Sequence, residues 1–150
     1  MPKPQRWFSS DHHFNHDAIR RYSERPFATV EEMDVEMMSR WNAAVAPNDL
    51  VYYLGDLAFA PKDATRALLN QMHGRIYYVR GNHDRQMKGP SWDRFEWIKD
   101  YFDLKVDEQH IVLCHYAFET WNRSHHGSWH LHGHSHGSFD ASATQPSRPP

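Results

Sequence analysis

The chain has 150 residues, 39% hydrophobic and 14% aromatic, enough for one domain with one substantial core. A formal net charge of −2 excludes the basic footprint of a bulk nucleic-acid binder. The single cysteine, Cys114, excludes an intrachain disulfide and fits a reducing cytosol. No apolar run approaches membrane-spanning length, and the start MPKPQRWFSS lacks the apolar stretch of a secretory signal. A soluble, cytoplasmic protein without membrane partners is the expectation.

In chain order, RWFS reads as a strand from Arg6 to Ser9 that breaks into a loop at Asp11. NHDAIRRYSE reads as a short helix starting near Asn15 or His16. TVEEMDVEMMSRWNAAV carries the strongest helical pattern. Thr29 and Glu32 form a capping box, and Val30, Met33, Met37, Met38, Trp41 and Val45 recur at helical spacing. The methionine stripe reads as core. LVYYLGD is a buried strand ending at Gly55-Asp56. KDATRALLNQMHG is a second helix, with Asp63 as N-cap and Gly74 just past its end. RIYYVRGNHD is a strand ending in a polar loop. SWDRFEWIKDYFD is ambiguous, with Trp92, Phe95 and Ile98 favouring helical spacing. HIVLCHY and SWHLHGHSH read as the last two strands. Mixed α/β with layered sheets follows. ASATQPSRPP, with three prolines, reads as a disordered tail over 140–150 behind a single domain over 1–139.

Five strands therefore end in polar residues of one chemical type. They give Asp11-His12-His13, Gly55-Asp56, Gly81-Asn82-His83-Asp84, His115, and Gly133-His134-Ser135-His136. Sites in open α/β sheets form at the carboxyl ends of strands. Carboxylate, imidazole and one amide oxygen, with no thiolate, suit Mn, Fe, Zn or Co. The candidate ligands are Asp11, His13, Asp56, Asn82, His115, His134 and His136. Seven is too many for one ion, but two ions sharing a carboxylate use them all. The i, i+2 spacing of Asp11 with His13, and of His134 with His136, puts each pair on one side of an extended backbone. His12 and Ser135 then point elsewhere.

The ordered set DHH, GD, GNHD, a lone His after an apolar strand, and GHSH resembles the signature of the calcineurin-like metallophosphoesterases. HFNH, ERPF, YYLGDLAF and CHYAFETWN resemble their small bacterial and phage branch. The match spans roughly Phe8 to Gly137. The resemblance implies a four-layer sandwich of two mixed β-sheets flanked by helices. It implies two divalent ions, manganese foremost, with Fe, Zn, Ni or Co as alternatives. One would be held by Asp11, His13, Asp56 and His136, the other by Asp56, Asn82, His115 and His134, with Asp56 as the bridge. A bridging hydroxide would attack phosphorus. His83 would act as general acid or as a donor to the phosphoryl oxygen, and Asp84 would orient it.

Three features depart from that pattern. GDLAF replaces GDxxD or GDxxH, Asn15 stands where the branch often has Gly, and the chain ends soon after its last motif. His16, Arg80 and Arg123 are the candidate substrate contacts. Trp121, His125 and His126 read as an ordered surface loop. His130 reads as satisfied within its sheet, and His132 stays open between that and support of a ligand. Hydrolysis of a small phosphodiester or nucleotide by a phosphodiesterase fits better than a monoesterase. A nuclease of the same chemistry lacks a basic patch. A non-catalytic interaction module would not need every ligand intact, and metal storage would not need Asn82-His83-Asp84 beside the ions.

Overall fold

The computed structural model describes residues 2–137, and its architecture is an α/β fold of two β-sheets flanked by helices. The expected tail over 140–150 lies outside the described residues. The first sheet holds β1 (Arg6–Ser9), β2 (Leu50–Tyr53), β3 (Arg75–Val79) and β4 (Phe95–Lys99), in that order. Every neighbouring pair in it is parallel. The second holds β5 (Tyr101–Val106), β6 (Gln109–Cys114) and β7 (Trp129–Leu131). There β5 runs antiparallel and β7 parallel to β6. The expectation of two mixed sheets is therefore corrected for the first. Its strands are joined by long crossovers that return the chain to the same end of the sheet, which makes neighbours parallel.

Those crossovers contain α1 (Asp17–Tyr22), α2 (Val30–Ala44) and α3 (Lys62–Gln71). Strand alternation then divides the side chains. Val51, Tyr53, Ile76 and Tyr78 meet Trp41 and Val45 at α2 and Leu69 and Met72 at α3. Tyr52, Leu54 and Val79 point the other way and meet Leu104, Ile111 and Leu113 of the second sheet. With α2 and α3 on one face, the other face is left to receive that sheet. The fourth layer is a loop carrying a 3-10 turn at Ser124–His126. In it Phe118 stacks on Tyr101 and His130, and Asn122 donates to Asp103.

Local chemistry sets the ends of these elements. The Thr29 hydroxyl accepts from the Glu32 amide, while the Glu32 carboxylate accepts from Ala28 N, one residue earlier than a full capping box requires. Pro61, not Asp63, is the N-cap of α3. Asp63 lies in the first turn, where its charge still favours the helix dipole. The Asp49 carboxylate ties β1 to β2 by accepting from Gln5 N, Trp7 Nε1 and Ala46 N. Of the methionine stripe, Met33 is fully buried and Met37 and Met38 pack against the same core.

The segment with apparent helical spacing forms strands β4 and β5. A register shift between Ile76 and Tyr77 explains the misleading pattern. Ile76 pairs with Phe95 but Tyr77 with Trp97, so Glu96 is bulged. The bulge puts Phe95 and Ile98, three residues apart, on the helix side, and Trp97 on the sheet side. Among the described residues no helix is long and apolar enough to cross a membrane.

Leu69 is fully buried on α3, whereas Phe59 is 54% exposed. Leu69→Ala should cost about 2–5 kcal/mol in urea unfolding. Phe59→Ala should stay within about 1 kcal/mol of the parent. A comparable loss at both positions would contradict this division of the core.

Candidate metal centre

The carboxyl ends of β1, β2, β3, β6 and β7 all deliver their loops to one edge of the paired sheets. The first loops continue side by side past the strands. Asp11 N donates to Gly55 O, His13 N to Asp56 O and Phe14 N to Leu57 O, at 2.9–3.1 Å. Two bonds stitch the second sheet to the first. The His115 ring donates from Nδ1 to Leu54 O at 2.6 Å, and His134 N donates to Asp11 Oδ2 at 3.0 Å.

Seven candidate ligands gather there in two clusters. In the first, Asp11, His13 and His136 bring one donor atom each within 4.8 Å of one another; in the second, Asp56, His115 and His134 do the same. Asn82 Oδ1 joins the second, 3.1 Å from both His115 Nε2 and His134 Nδ1. Asp56 Oδ2 lies between the clusters, 3.6 Å from His13 Nε2 and 3.3 Å from His115 Nε2. Two donors bound to one ion at about 2.1 Å lie roughly 3.0–3.4 Å apart. Separations of 3.3–3.6 Å are within a few tenths of that.

Five of the seven candidate ligands, Asp11, His13, Asp56, His115 and His136, are pinned by one atom and offer the other. Asp11 Oδ2 accepts from Ser10 Oγ and His134 N, leaving Oδ1 turned inward. Asp56 Oδ1 accepts from His83 N, leaving Oδ2. His13 Nδ1 lies 3.0 Å from His16 Nδ1, and His136 Nδ1 lies 3.3 Å from Ser23 Oγ; both rings turn Nε2 inward. Asp11 Oδ1 and His13 Nε2 are buried and have no hydrogen-bond partner. Buried orphaned acceptors of this kind are costly unless a cation fills the space between them. The donor set of carboxylate, imidazole and amide oxygen fits one or more divalent ions.

The backbone here is not extended. Asp11, His13, Asp56, His134 and His136 have φ between 49° and 67°. The expected alternation along an extended chain is corrected accordingly: left-handed residues, not strand pleat, turn each i, i+2 pair. As a result His134 and His136 serve different clusters. Asn15 is also left-handed, at φ 60°, a conformation that Asn tolerates better than most residues in place of Gly. Close approach fixes two glycines. A Cβ on Gly81 would lie 2.2 Å from Asp56 Oδ1, and one on Gly133 would lie 2.2 Å from Asp11 Oδ2.

Charges follow from these contacts. Burial raises the carboxyls of Asp11 and Asp56, but donors and imidazoles outweigh it. His13 and Ser10 at Asp11, and His115 and His83 N at Asp56, bring both below the usual carboxylate value. Burial lowers His115, but the Asp56 carboxylate and the Leu54 carbonyl carry it above its ordinary value. His12 turns away into the core, bonded to the Tyr53 hydroxyl at 2.7 Å; burial and then Arg25 lower it to about 4.

Asp84 does not orient His83, which corrects the expected role. Its Oδ2 accepts from Gly81 N, Asp56 N and Tyr78 OH at 2.7–2.8 Å, and its Oδ1 has no partner. Fully buried, it pins the backbone that carries Asp56. The His83 ring meets His13 and Phe59 edge-on, at 5.5 and 5.7 Å. His16 touches a candidate ligand: with His13 Nε2 bare for a cation, His13 Nδ1 carries the proton and His16 Nδ1 accepts it. Arg80 commits its guanidinium to Asp100 at 2.7 and 2.8 Å. Arg123 lies on the loop over the second sheet, where its carbonyl accepts from His126 N and Ser128 N. Neither arginine is brought to the clusters by these contacts. His130 is satisfied by Val112 O and Phe118 N, and His132 Nδ1 lies 3.1 Å from Gly133 O.

Arg25 was not singled out by any motif spacing. Its guanidinium donates to the carbonyls of Asp11, at 2.6 Å, and His12, holding the left-handed loop from behind. Backbone acceptors leave no trace in residue identity, so only the stretch ERPF carried a signal.

Two outcomes follow. Asp84→Asn should cost about 2–4 kcal/mol in urea unfolding, because a neutral amide oxygen holds the three donors more weakly than a carboxylate and its NH2 would be buried where Oδ1 has no partner. In the metal-free protein, protonated His115 beside Asp56 stabilises the fold below about pH 6.5, and that contribution is lost as pH rises through the raised His115 value. A cation replaces this proton, so Mn²⁺ should raise Tm more at pH 8 than at pH 6. Equal shifts at the two pH values would argue against binding through these imidazoles.

No family model matches the chain. It is 37% identical over 129 residues to the uncharacterized protein MJ1445 of Methanocaldococcus jannaschii, covering 85% of this chain and 66% of that protein's length. It is 29% identical over 158 residues to the Gene 66 protein of Mycobacterium phage D29, covering 87% of this chain and 77% of that protein. Among solved structures it is similar to the protein of unknown function AQ665 from Aquifex aeolicus, with a TM-score of 0.62 and 28% identity over 76% of this chain and 61% of that one.

Proposed function

We propose that this chain is a binuclear metal-dependent phosphoesterase of the calcineurin-like type, hydrolysing a small phosphodiester or nucleotide. The observation that carries the reading is the set of inward donor atoms around Asp56 Oδ2. That oxygen belongs to one three-residue cluster, 3.3 Å from His115 Nε2, and lies 3.6 Å from His13 Nε2 of the other, and the buried Asp11 Oδ1 and His13 Nε2 lack a hydrogen-bond partner. When bound, a pair of divalent ions would supply charge for phosphoryl oxygens and a nucleophile at neutral pH.

The chain's own groups do the rest. Asp56 draws the two clusters together, and the bond from His83 N to its Oδ1 holds it there. The His83 imidazole, exposed above the clusters, is the donor to the departing ester oxygen. Two cavities of about 550 Å³ each flank the donors. One is lined by Ser10, Ser23, Arg25 and His136, the other by Phe59, Asn82, His83 and Arg85. A phosphodiester has two ester groups, and a cavity on either side favours it over a monoester.

The test uses protein stripped of metal and reloaded with Mn²⁺, given bis-p-nitrophenyl phosphate and p-nitrophenyl phosphate. The diester should turn over faster. Asp56→Asn should lower that rate by about 100-fold or more. Faster turnover of the monoester would overturn the diester assignment. His83→Ala should keep both ions and lose about 10²–10⁴-fold on esters with poor leaving groups. Full activity of that variant on such esters would remove His83 from the reaction.

A further inference from the structure

Phe59 stands where the resembled signature often has an acidic or imidazole group, and its surroundings give it a different use. Its backbone is held on both sides: Phe59 N donates to Phe14 O at 2.8 Å, and Asn15 Nδ2 donates to Phe59 O at 3.1 Å. The next residue is held as well, with Ala60 O accepting from Gln86 Nε2. This is a fixed ring, not a frayed one. His16 packs on it with ring centres 4.7 Å apart and planes at 23°, and His83 meets it edge-on. The ring is still 54% exposed, although a large apolar side chain on an anchored loop gains by burial. Its exposed part lines the cavity that Asn82 and His83 share with the metal centre.

That cavity is of small-ligand size, about 550 Å³. Ala58, Ala60 and Pro61 give it a smooth apolar wall, and Arg85 and Gln86 supply polar groups. The opposite cavity, with Ser10, Ser23, Arg25 and His136, is lined by no hydrophobic side chain. The two sides of the centre therefore differ in what they accept. An aromatic ring backed by His16 and set in a concave wall offers little to a flat protein surface, but its exposed part suits a planar group placed against it.

We propose that Phe59 and its cavity form a subsite for a planar aromatic ester group of the substrate, placed on the His83 side of the centre. The assignment rests on the phosphoesterase reading above. The ester oxygen that receives the proton from His83 is then the one carrying the aromatic group, and Phe59 is the residue that selects it.

The test measures equilibrium binding by calorimetry to the Mn²⁺-loaded full chain, independently of turnover. The probes are methyl-, cyclohexyl- and phenylphosphonate, which share the anchoring group and differ only in the appended one. Phenylphosphonate should bind about fivefold more tightly than cyclohexylphosphonate. Phe59→Leu should narrow that gap to less than about twofold, while Phe59→Trp should keep it. Circular dichroism and Mn²⁺ stoichiometry establish that both variants are folded and loaded. Equal binding of the phenyl and cyclohexyl compounds, or a gap that survives Phe59→Leu, would overturn the subsite and leave the phosphoesterase reading standing. Failure of all three to bind, methylphosphonate included, would overturn that reading and the subsite with it.

Discussion

The structure depends on a single electrostatic constraint: acceptor atoms of two carboxylates and several imidazoles are turned toward one another at one edge of the sheets. Asp11 Oδ1, Asp56 Oδ2 and His13 Nε2 lie within 3.6 Å of their neighbours, too far for good hydrogen bonds and too close for bare acceptors. Such an arrangement is stable only if positive charge sits between the atoms. In the metal-free chain a proton on His115 provides part of it, which is why Asp56 raises that imidazole while the imidazole lowers Asp56. A divalent cation would provide far more. For five of the seven candidate ligands the outer atom is tied, to Ser10, Ser23, His16, Leu54 or His83, which keeps the other atom turned inward.

Holding the atoms this way strains the backbone. A non-glycine residue in the left-handed region costs on the order of 1–2 kcal/mol. Five of the seven candidate ligands adopt it. The compensation comes from groups outside the clusters. Arg25 binds the carbonyls of Asp11 and His12, the Tyr53 hydroxyl receives His12 N, and Asp84 collects the amides of Asp56 and Gly81. Tyr53 and Tyr78 reach these points because strand alternation sends them to the helix side, where they stack 5.4 Å apart with planes at 5°. The hydrophobic core and the candidate metal centre therefore share the same tyrosines: apolar packing fixes the rings, and the rings fix the loops.

This division explains what could be read from the sequence. The candidate donors were legible because carboxylate, imidazole and amide oxygen are the chemistry itself, and they fall at strand ends in chain order. Strands and crossover helices were legible from period. Three things were not. The bulge at Glu96 made a strand mimic helical spacing, since one extra residue converts period two into a spacing of three. Asp84 looked like a partner for its neighbour His83, but the burial that hides its carboxylate also delivers it to backbone amides. Arg25 acts on carbonyl oxygens, which every residue has, so no side-chain pattern could mark its targets.

The left-handed loops also bear on why the ligands are these residue types. Asp, Asn and His tolerate positive φ better than other side chains, because a short polar group can bond locally where a branched or long one clashes. Among the described residues, seven of the nine non-glycine residues with positive φ are of these three types: Asp11, His13, Asn15, Asp56, Asp107, His134 and His136. The same types supply the oxygen and imidazole donors that Mn, Fe, Zn or Co accept. Backbone and metal chemistry thus select the same short list at the same positions. A Glu at position 56 would keep the charge but lengthen the arm, while a Cβ on Gly81 would already meet Asp56 Oδ1 at 2.2 Å. With no room behind the carboxylate, the longer side chain could only push its oxygen into the space between the clusters. The motif is therefore a statement about backbone geometry as much as about ligands, and the loops could not take this path with residues chosen for charge alone.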